Sequence, residues 1–354
     1  MKNWEKNIRK VVPYVPGEQP KNTNVIKLNT NENPYPPAPG VKKALEDFDT
    51  DRLRLYPDPL VSDLVGAIAE YYHVGDDQVF VGVGSDDVLA MLFMTFFNSD
   101  KPILFPDITY SFYDVWADML RIPYRQIPLD DSFHIDPSDY TGENGGIVFP
   151  NPNAPTGELL ALSEIEKIIA ANPDVIVIVD EAYIDFGGVS ALPLIDKYDN
   201  VVVVQTFSKS RSMAGSRIGF AISNPTLIRY LNDVKYSFNS YTMDALTIAL
   251  GTAAMKDTAY FDKTRDKIIK TREWTKEQLK ELGFVFGDSK SNFIFARHPK
   301  VSGEKRFMDL KKQNIFVRHF SKPARINEYL RITIGTDAQM QTLIGFLRDY
   351  LKTV

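Results

Sequence analysis

Three apolar runs in the chain stop on residues that can do chemistry. VIVIVD stops on Asp180 and passes into EAYIDF with Tyr183, VVVVQTF passes into SKS with Ser208 and Lys209, and GGIVFP passes into NPNAPTG with Asn153. The valine run is short, β-branched and apolar on both alternating sets of positions, the pattern of a strand buried on both faces of a parallel sheet. Parallel strands would gather these ends at one edge, where open α/β sheets bind their ligands. The chemistry on offer is that of an amine. Lys209 can condense with a carbonyl or move a proton, and a carboxylate such as Asp180 can hold a positive charge beside it. A fourth segment, VFVGVGSDDVLAML, reads as a strand, a glycine turn and a helix start at Ser85, whose free backbone N–H groups make an anion site. Arg217, in QTFSKSRSMAGSRIGF, adds a second cation.

Taken singly, each feature has a plainer reading. Ser85 followed by Asp86 and Asp87 is a good helix cap with acids in the first turn. Asp180 alone reads as a buried, hydrogen-bonded carboxylate, and Lys209 as a solvated surface lysine. GVGSDD lacks the third glycine of a dinucleotide fingerprint, which weighs against a nicotinamide-binding or non-catalytic nucleotide-binding α/β protein. Convergence on one edge changes the weighing. An amine nucleophile, a carboxylate deep in the sheet, a helix N-terminus for phosphate and an extra arginine together match the needs of pyridoxal 5'-phosphate, which is held as a Schiff base on lysine with a charged partner at its pyridine nitrogen. An aspartate there keeps that nitrogen protonated, because an adjacent opposite charge favours the charged form.

The elements that must position these residues alternate. VKKALEDF and DPLVSDLVGAIAEYYHV read as helices, QVFVGVG as a strand, SDDVLAMLFMTFF as a helix, PILFP as a strand and SFYDVWADML as a helix, before the three chemically marked strands. SEIEKIIAAN falls between two of those strands as a helix. This alternation predicts right-handed β-α-β units, a mostly parallel sheet with helices on both faces. Beyond about residue 250 come a long charged helix, TAYFDKTRDKIIKTREWTKEQLKELG, short alternating strands and a last helix, QMQTLIGFLRDYL, which predict a smaller α+β domain. Residues 13 to 40 are dense in Pro and Asn and read as an arm and loops running over a surface. The expected division is an arm over 1–27, a small domain over 28–47 and 256–354, and a large domain over 48–255.

Bulk properties narrow the function. The chain has 354 residues, 44% hydrophobic and 25% charged, enough to bury a full core and to form two domains. Its net charge of -5 gives no overall attraction to nucleic acid or anionic membrane. No stretch reaches the roughly 18 apolar residues of a membrane span, and the charged start MKNWEKNIRKVVPY has no long apolar core, so the expected location is cytoplasmic. There is no cysteine, and the four histidines are scattered, so no metal site is expected.

RLYPDP, GVGSDD, PDITYSFY, NPNAPTG, DEAYIDF, TFSKSRSMAGSRIGF and LRITIGT occur in the order, and at the approximate spacing, of the fold type I pyridoxal-phosphate-dependent aminotransferases, which the chain resembles over nearly its whole length. KVVPYVPGEQP with LNTNENPYPP resembles the histidinol-phosphate branch of class II in particular. The resemblance implies a large cofactor-binding domain and a smaller α+β domain. It implies amino-group transfer between histidinol phosphate and glutamate/2-oxoglutarate in histidine biosynthesis, with aromatic amino acid transamination and threonine-phosphate decarboxylation as alternatives on the same scaffold. Lys209 would carry the cofactor and act as base, Asp180 would pair with the pyridine nitrogen, and Tyr183 would hydrogen-bond the 3'-oxygen. Tyr110 would stack on the ring. Ser208, Arg217 and the backbone at Ser85 and Asp86 would hold the phosphate, and Asn153 would contact the cofactor. Tyr56, in RLYPDP, would reach the phosphate of the neighbouring subunit in a homodimer. Tyr14, Arg318 and Arg331 match positions that bind the anionic ends of substrates. Two departures stand out: Ala154 occupies the position before Pro155 where relatives often carry asparagine, and Pro36 stands where they often carry glycine.

Overall fold

The computed structural model describes residues 2–21 and 24–353. In chain order the strands are β1 (Ile26–Leu28), β2 (Val79–Gly82), β3 (Ile103–Pro106), β4 (Tyr124–Ile127), β5 (Ile147–Pro150), β6 (Val177–Asp180), β7 (Val201–Thr206), β8 (Gly219–Ile222), β9 (Val285–Phe286), β10 (Phe293–Arg297), β11 (Ile315–His319) and β12 (Tyr329–Thr333). The helices are α1 (Pro39–Glu46), α2 (Ser62–Tyr72), α3 (Ser85–Phe96), α4 (Tyr113–Leu120), α5 (Leu162–Ala171), α6 (Pro225–Phe238), α7 (Ala245–Lys256), α8 (Thr258–Glu281), α9 (Gly303–Lys312) and α10 (Asp337–Tyr350).

Seven strands form the larger sheet in the order β2-β8-β7-β6-β5-β3-β4. All its pairings are parallel except those of β8, which runs antiparallel to both β7 and β2. β2 therefore points the same way as β7, and the chain leaves β2, β5, β6 and β7 at one edge. The valine run explains why both its faces are apolar. Val201 and Val203 pack into a core with Ile165, Ile168 and Ile248, whereas Val202 and Val204 pack into a separate core with Leu89, Phe93 and Trp116 on the opposite face. Each fully buried Val or Ile contributes on the order of 1.5–3 kcal/mol relative to exposure.

The smaller sheet has the order β1-β11-β12-β10-β9, with β1 parallel to β11 and the other pairings antiparallel. Leu28, Phe293, Ile332 and Val317 pack with Ile268 and Leu279 of α8 and Leu343 and Leu347 of α10. The Asn- and Pro-rich stretch departs from its expected course over the surface. It supplies β1, and Asn29 and Asn31 lie 3% and 1% exposed between the two sheets. Asparagine can be buried there because the amide nitrogens find acceptors, Asn29 donating to Glu18 O and Asn31 to the Tyr183 hydroxyl, and Asn31 Oδ1 accepts from Thr333 Oγ1.

Candidate active site

The ends of β2, β5, β6 and β7 enclose a cavity of ≈ 170 Å³. Eight of the residues expected to do chemistry line it: Ser85, Asp86, Tyr110, Asp180, Tyr183, Ser208, Lys209 and Arg217. The same wall carries Thr30 and Glu32, from the stretch expected at the surface, and Ala154.

Lys209 lies three residues past β7, its Nζ 3.4 Å from Thr30 O and 5.8 Å from the centre of the Tyr183 ring. No carboxylate pairs with this amine among the described residues, so it stays free to react. Its backbone is braced: Asn33 Nδ2 donates to both Lys209 O and Ser210 O at 3.0 Å. Asp180 closes β6 and is 4% exposed. Its Oδ2 accepts from the Tyr113 hydroxyl at 2.9 Å and its Oδ1 from Ala182 N at 3.2 Å. Burial pushes the carboxyl up to about 6, against the downward pull of these two hydrogen bonds. A buried acid with so raised a pKa gains by meeting a cation. The Tyr183 hydroxyl accepts from Asn31 Nδ2 at 2.9 Å, which leaves its own proton to be donated elsewhere.

The N-terminus of α3 differs from the sequence expectation in one detail that matters. Ser85 is the first helical residue, the cap is Gly84, and no side chain caps the helix. Asp87, the nearest candidate, accepts from Val83 N instead. The first turn therefore keeps backbone donors open to an anion. Gly84 has φ +100, and a Cβ there would come 2.4 Å from Arg217 Nη2, so only glycine brings this turn so close to the guanidinium. Arg217 donates to Asp86 Oδ2 at 3.3 Å and to Ser208 Oγ at 3.4 Å. Asp86 also accepts from the Tyr110 hydroxyl at 2.6 Å. Asp86 thus orients two neighbours with its side chain and has only its backbone to offer an anion.

Arg318 and Arg331 sit directly opposite one another on β11 and β12, outside the cavity lining. Like charges in that register repel. Arg331 Nη2 donates to Asn29 O at 3.2 Å, while its buried Nε has no partner. Burial pulls its pKa down, and Arg318 adds to the effect. Arg318 Nη2 donates to Val15 O at 3.4 Å, and Tyr14 stacks on Phe112 with ring centres 4.2 Å apart. Tyr14 is near enough to act electrostatically on both Arg331 and Tyr110.

Two of the expected residues do not line this chain's cavity. Asn153 Nδ2 donates to Ile108 O at 3.0 Å and Thr156 Oγ1 at 2.9 Å, its buried Oδ1 has no partner, and Ala154 takes the lining position. Tyr56 is 83% exposed, resting on Tyr241 with ring centres 4.7 Å apart, and has no place in its own chain's cavity. Sequence reasoning missed Asn31, Asn33 and Tyr113. The density of asparagine in NTNEN was the available signal for the first two, since several amides in so short a stretch can brace backbone as readily as form turns.

The sequence matches the family described as aminotransferase class I and II over residues 23–347. It is 54% identical over 350 residues to a histidinol-phosphate aminotransferase of Lactococcus lactis subsp. cremoris, covering 99% of this chain and 98% of that one. Histidinol-phosphate aminotransferase 1 of Bordetella parapertussis is 53% identical over 353 residues, with 99% of each chain covered. Among solved structures, the histidinol-phosphate aminotransferase of Clostridium acetobutylicum superposes with a TM-score of 0.86 at 22% identity, covering 93% of this chain and all of that one (100%). The Sinorhizobium meliloti enzyme, solved with pyridoxal 5'-phosphate, gives 0.83 at 23% identity, covering 93% and 91%. At those identities the structural likeness speaks for the fold.

Proposed function

The chain belongs to the class I and II aminotransferases, and from that premise we propose that it exchanges amino groups between histidinol phosphate and 2-oxoglutarate, with pyridoxal 5'-phosphate as cofactor, in histidine biosynthesis. The observation that carries the reading is the meeting of a free amine, a raised-pKa carboxylate and an uncapped helix N-terminus in one cavity. These residues fit the cofactor. Lys209 would hold it covalently, Asp180 would take the pyridine nitrogen, Tyr183 would donate to the 3'-oxygen, and Tyr110 would cover the ring. The open backbone donors of α3, with Ser208 and Arg217, would hold the phosphate. Bound there, the cofactor supplies an electron-poor ring that takes up the electron pair left when the substrate Cα loses its proton.

The chain's own residues do the rest. Lys209 Nζ would take the proton from the substrate Cα and, in the reverse half reaction, return it to that atom. The bond from Tyr113 holds the Asp180 carboxylate in place. Arg331 and Arg318 are two guanidinium groups forced together with a buried donor unspent, an arrangement that an anion relieves. Histidinol phosphate has no carboxylate, so its phosphate is the group they would anchor, with Tyr14 alongside. In the other half reaction the same clamp would take a carboxylate of glutamate.

The active unit of this reading is a homodimer, in which Tyr56 completes the neighbouring site. Its support is an apolar patch that one chain leaves open: Leu53, Leu55, Leu60 and Phe238 are each more than half exposed beside Tyr56. The division into an arm (1–27), a small domain (28–47 and 256–354) and a large domain (48–255), and a cytoplasmic location, belong to the same proposal. Among the described residues no helix is long and apolar enough to cross a membrane. Stopped-flow spectra of the purified protein with each candidate amine test the substrate. The fastest spectral change is expected with histidinol phosphate. Faster reaction with phenylalanine or tyrosine, or release of CO2 from threonine phosphate, would replace the reading.

A further inference from the structure

Tyr113 begins α4, is fully buried, and takes no part in the roles described so far beyond its bond to Asp180. Its ring is boxed by Tyr110, Phe105, Phe93 and Trp116, with centres 5.8, 5.9, 6.2 and 6.3 Å away, so the hydroxyl cannot swing to another partner. Its hydrogen bond to Asp180 Oδ2 is 2.9 Å long. We propose that Tyr113 is a positioning residue that acts on the cofactor through Asp180, its hydroxyl keeping that carboxylate ionised and aimed at the pyridine nitrogen. The inference rests on the cofactor reading above.

One proton would be shared between the Asp180 carboxylate and the pyridine nitrogen. An aspartate facing a pyridine nitrogen can leave the proton on nitrogen, as an ion pair, or take it and leave both groups neutral. A hydrogen bond donated to the carboxylate favours its charged form and so leaves the proton on nitrogen. The other groups acting on Asp180 do not replace this help. Ala182 N serves the other oxygen, Lys209 favours ionisation from a distance, and Asp86 opposes it. Tyr113 cannot itself give up its proton, because burial and the adjacent Asp180 push its pKa well above the ordinary tyrosine value. It remains a donor throughout.

The test follows Asp180 directly. Apoprotein carrying 13C-carboxyl aspartate is titrated by NMR, with Asp180 assigned by its loss in Asp180→Asn. In Tyr113→Phe, Asp180 should titrate about one pH unit or more higher than in the wild type. In holoenzyme loaded with 15N-labelled pyridoxal phosphate, the nitrogen resonance should move toward the unprotonated form. The variant's kcat should fall about tenfold or more while KM for histidinol phosphate changes little, since Tyr113 lies away from the arginine clamp. An unchanged Asp180 titration or an unchanged nitrogen resonance in folded Tyr113→Phe overturns the proposal. Should that variant fail to fold, site-specific 3-fluorotyrosine at position 113, a stronger donor of the same shape, decides the matter. Asp180 must then titrate lower than in the wild type, and no change or a rise overturns it. A wild type that takes up no cofactor would sink the cofactor reading, while the apoprotein titration would still report on the Tyr113–Asp180 bond.

Discussion

Replacing Arg331 by methionine separates binding from folding at the anion clamp. The substitution keeps a long apolar stem and removes the guanidinium. Two effects on stability oppose each other. The bond to Asn29 O is lost, at roughly 0.5–1.5 kcal/mol, and so is the repulsion from Arg318 directly across the strand pair, a term of roughly 0.2–1 kcal/mol. Without substrate the variant should therefore unfold within about 1 kcal/mol of the wild type. Binding has no such offset. A charge-assisted bond to the phosphate contributes roughly 1.5–3 kcal/mol, so kcat/KM for histidinol phosphate should fall roughly ten- to a hundredfold or more. Ligand stabilisation follows the same loss. At a substrate concentration about a hundred times the wild-type Kd, the wild type gains about 2.7 kcal/mol, and a variant binding tenfold more weakly gains only about 1.4 kcal/mol. Denaturant melts with and without histidinol phosphate, beside steady-state kinetics, measure both quantities. The visible spectrum of bound cofactor should persist, because Arg331 lies outside the cavity lining. Kinetics within about twofold of wild type would refute the clamp. Loss of the cofactor spectrum would show instead that the substitution damages the cavity.

Asp180→Asn should transaminate orders of magnitude more slowly in a folded protein, and near-normal turnover by holoenzyme would remove Asp180 from its role. It should also alter the pH dependence of apoprotein stability. A folded-state pKa raised to about 6 from 3.8 makes ionisation unfavourable for the native state, a cost absent below about pH 4, growing to pH 6 and complete above it. At pH 7 the apo variant should thus be more stable than apo wild type by up to about 3 kcal/mol, from two pKa units at 1.36 kcal/mol each; a pH-independent difference counts against the raised pKa. Gly84→Ala puts a Cβ 2.4 Å from Arg217 Nη2 at φ +100, and should weaken cofactor affinity at least about tenfold by fluorescence titration, the 1.4 kcal/mol expected of a strained turn. Unchanged affinity would leave the turn without its assigned purpose. Mixing inactive Lys209→Ala with an inactive Tyr56 variant should restore part of the activity once subunits exchange, because one hybrid site then has both wild-type residues. Activity that stays at the level of the parents despite exchange would place Tyr56 outside the neighbouring site.

What could be read from the chain alone follows from how each residue acts. Strands β5, β6 and β7 are buried on both faces, so their composition is unambiguous, and Lys209 and Asp180 stand out because nothing about a sheet requires them where they fall. β8 is hidden behind the glycine and arginine of GSRIGF, and edge strand β4, YRQI, has three of its four residues exposed and carries too little apolar pattern to announce itself. The NTNEN stretch misleads because asparagine that braces buried backbone has the same composition as asparagine in a turn. The partners of Asn31 and Asn33, which are Tyr183, Lys209 and Thr333, lie more than 150 residues away. The turn NPNAPTG shows the same limit on a smaller scale, since only the folded backbone decides that Ala154 and not Asn153 meets the cavity. Tyr113 was invisible as chemistry because its neighbours are those of any core aromatic, and only the 2.9 Å bond to Asp180 distinguishes it.

Everything proposed for the cavity depends on Lys209 being the amine that carries the cofactor. Borohydride reduction of the purified, yellow holoprotein, followed by peptide mass spectrometry, tests it most directly. The visible absorbance band should disappear, and a single reduced cofactor adduct should be found on Lys209. An adduct on any other lysine, or a protein that binds no pyridoxal phosphate when supplied with it, would remove Lys209 from that role.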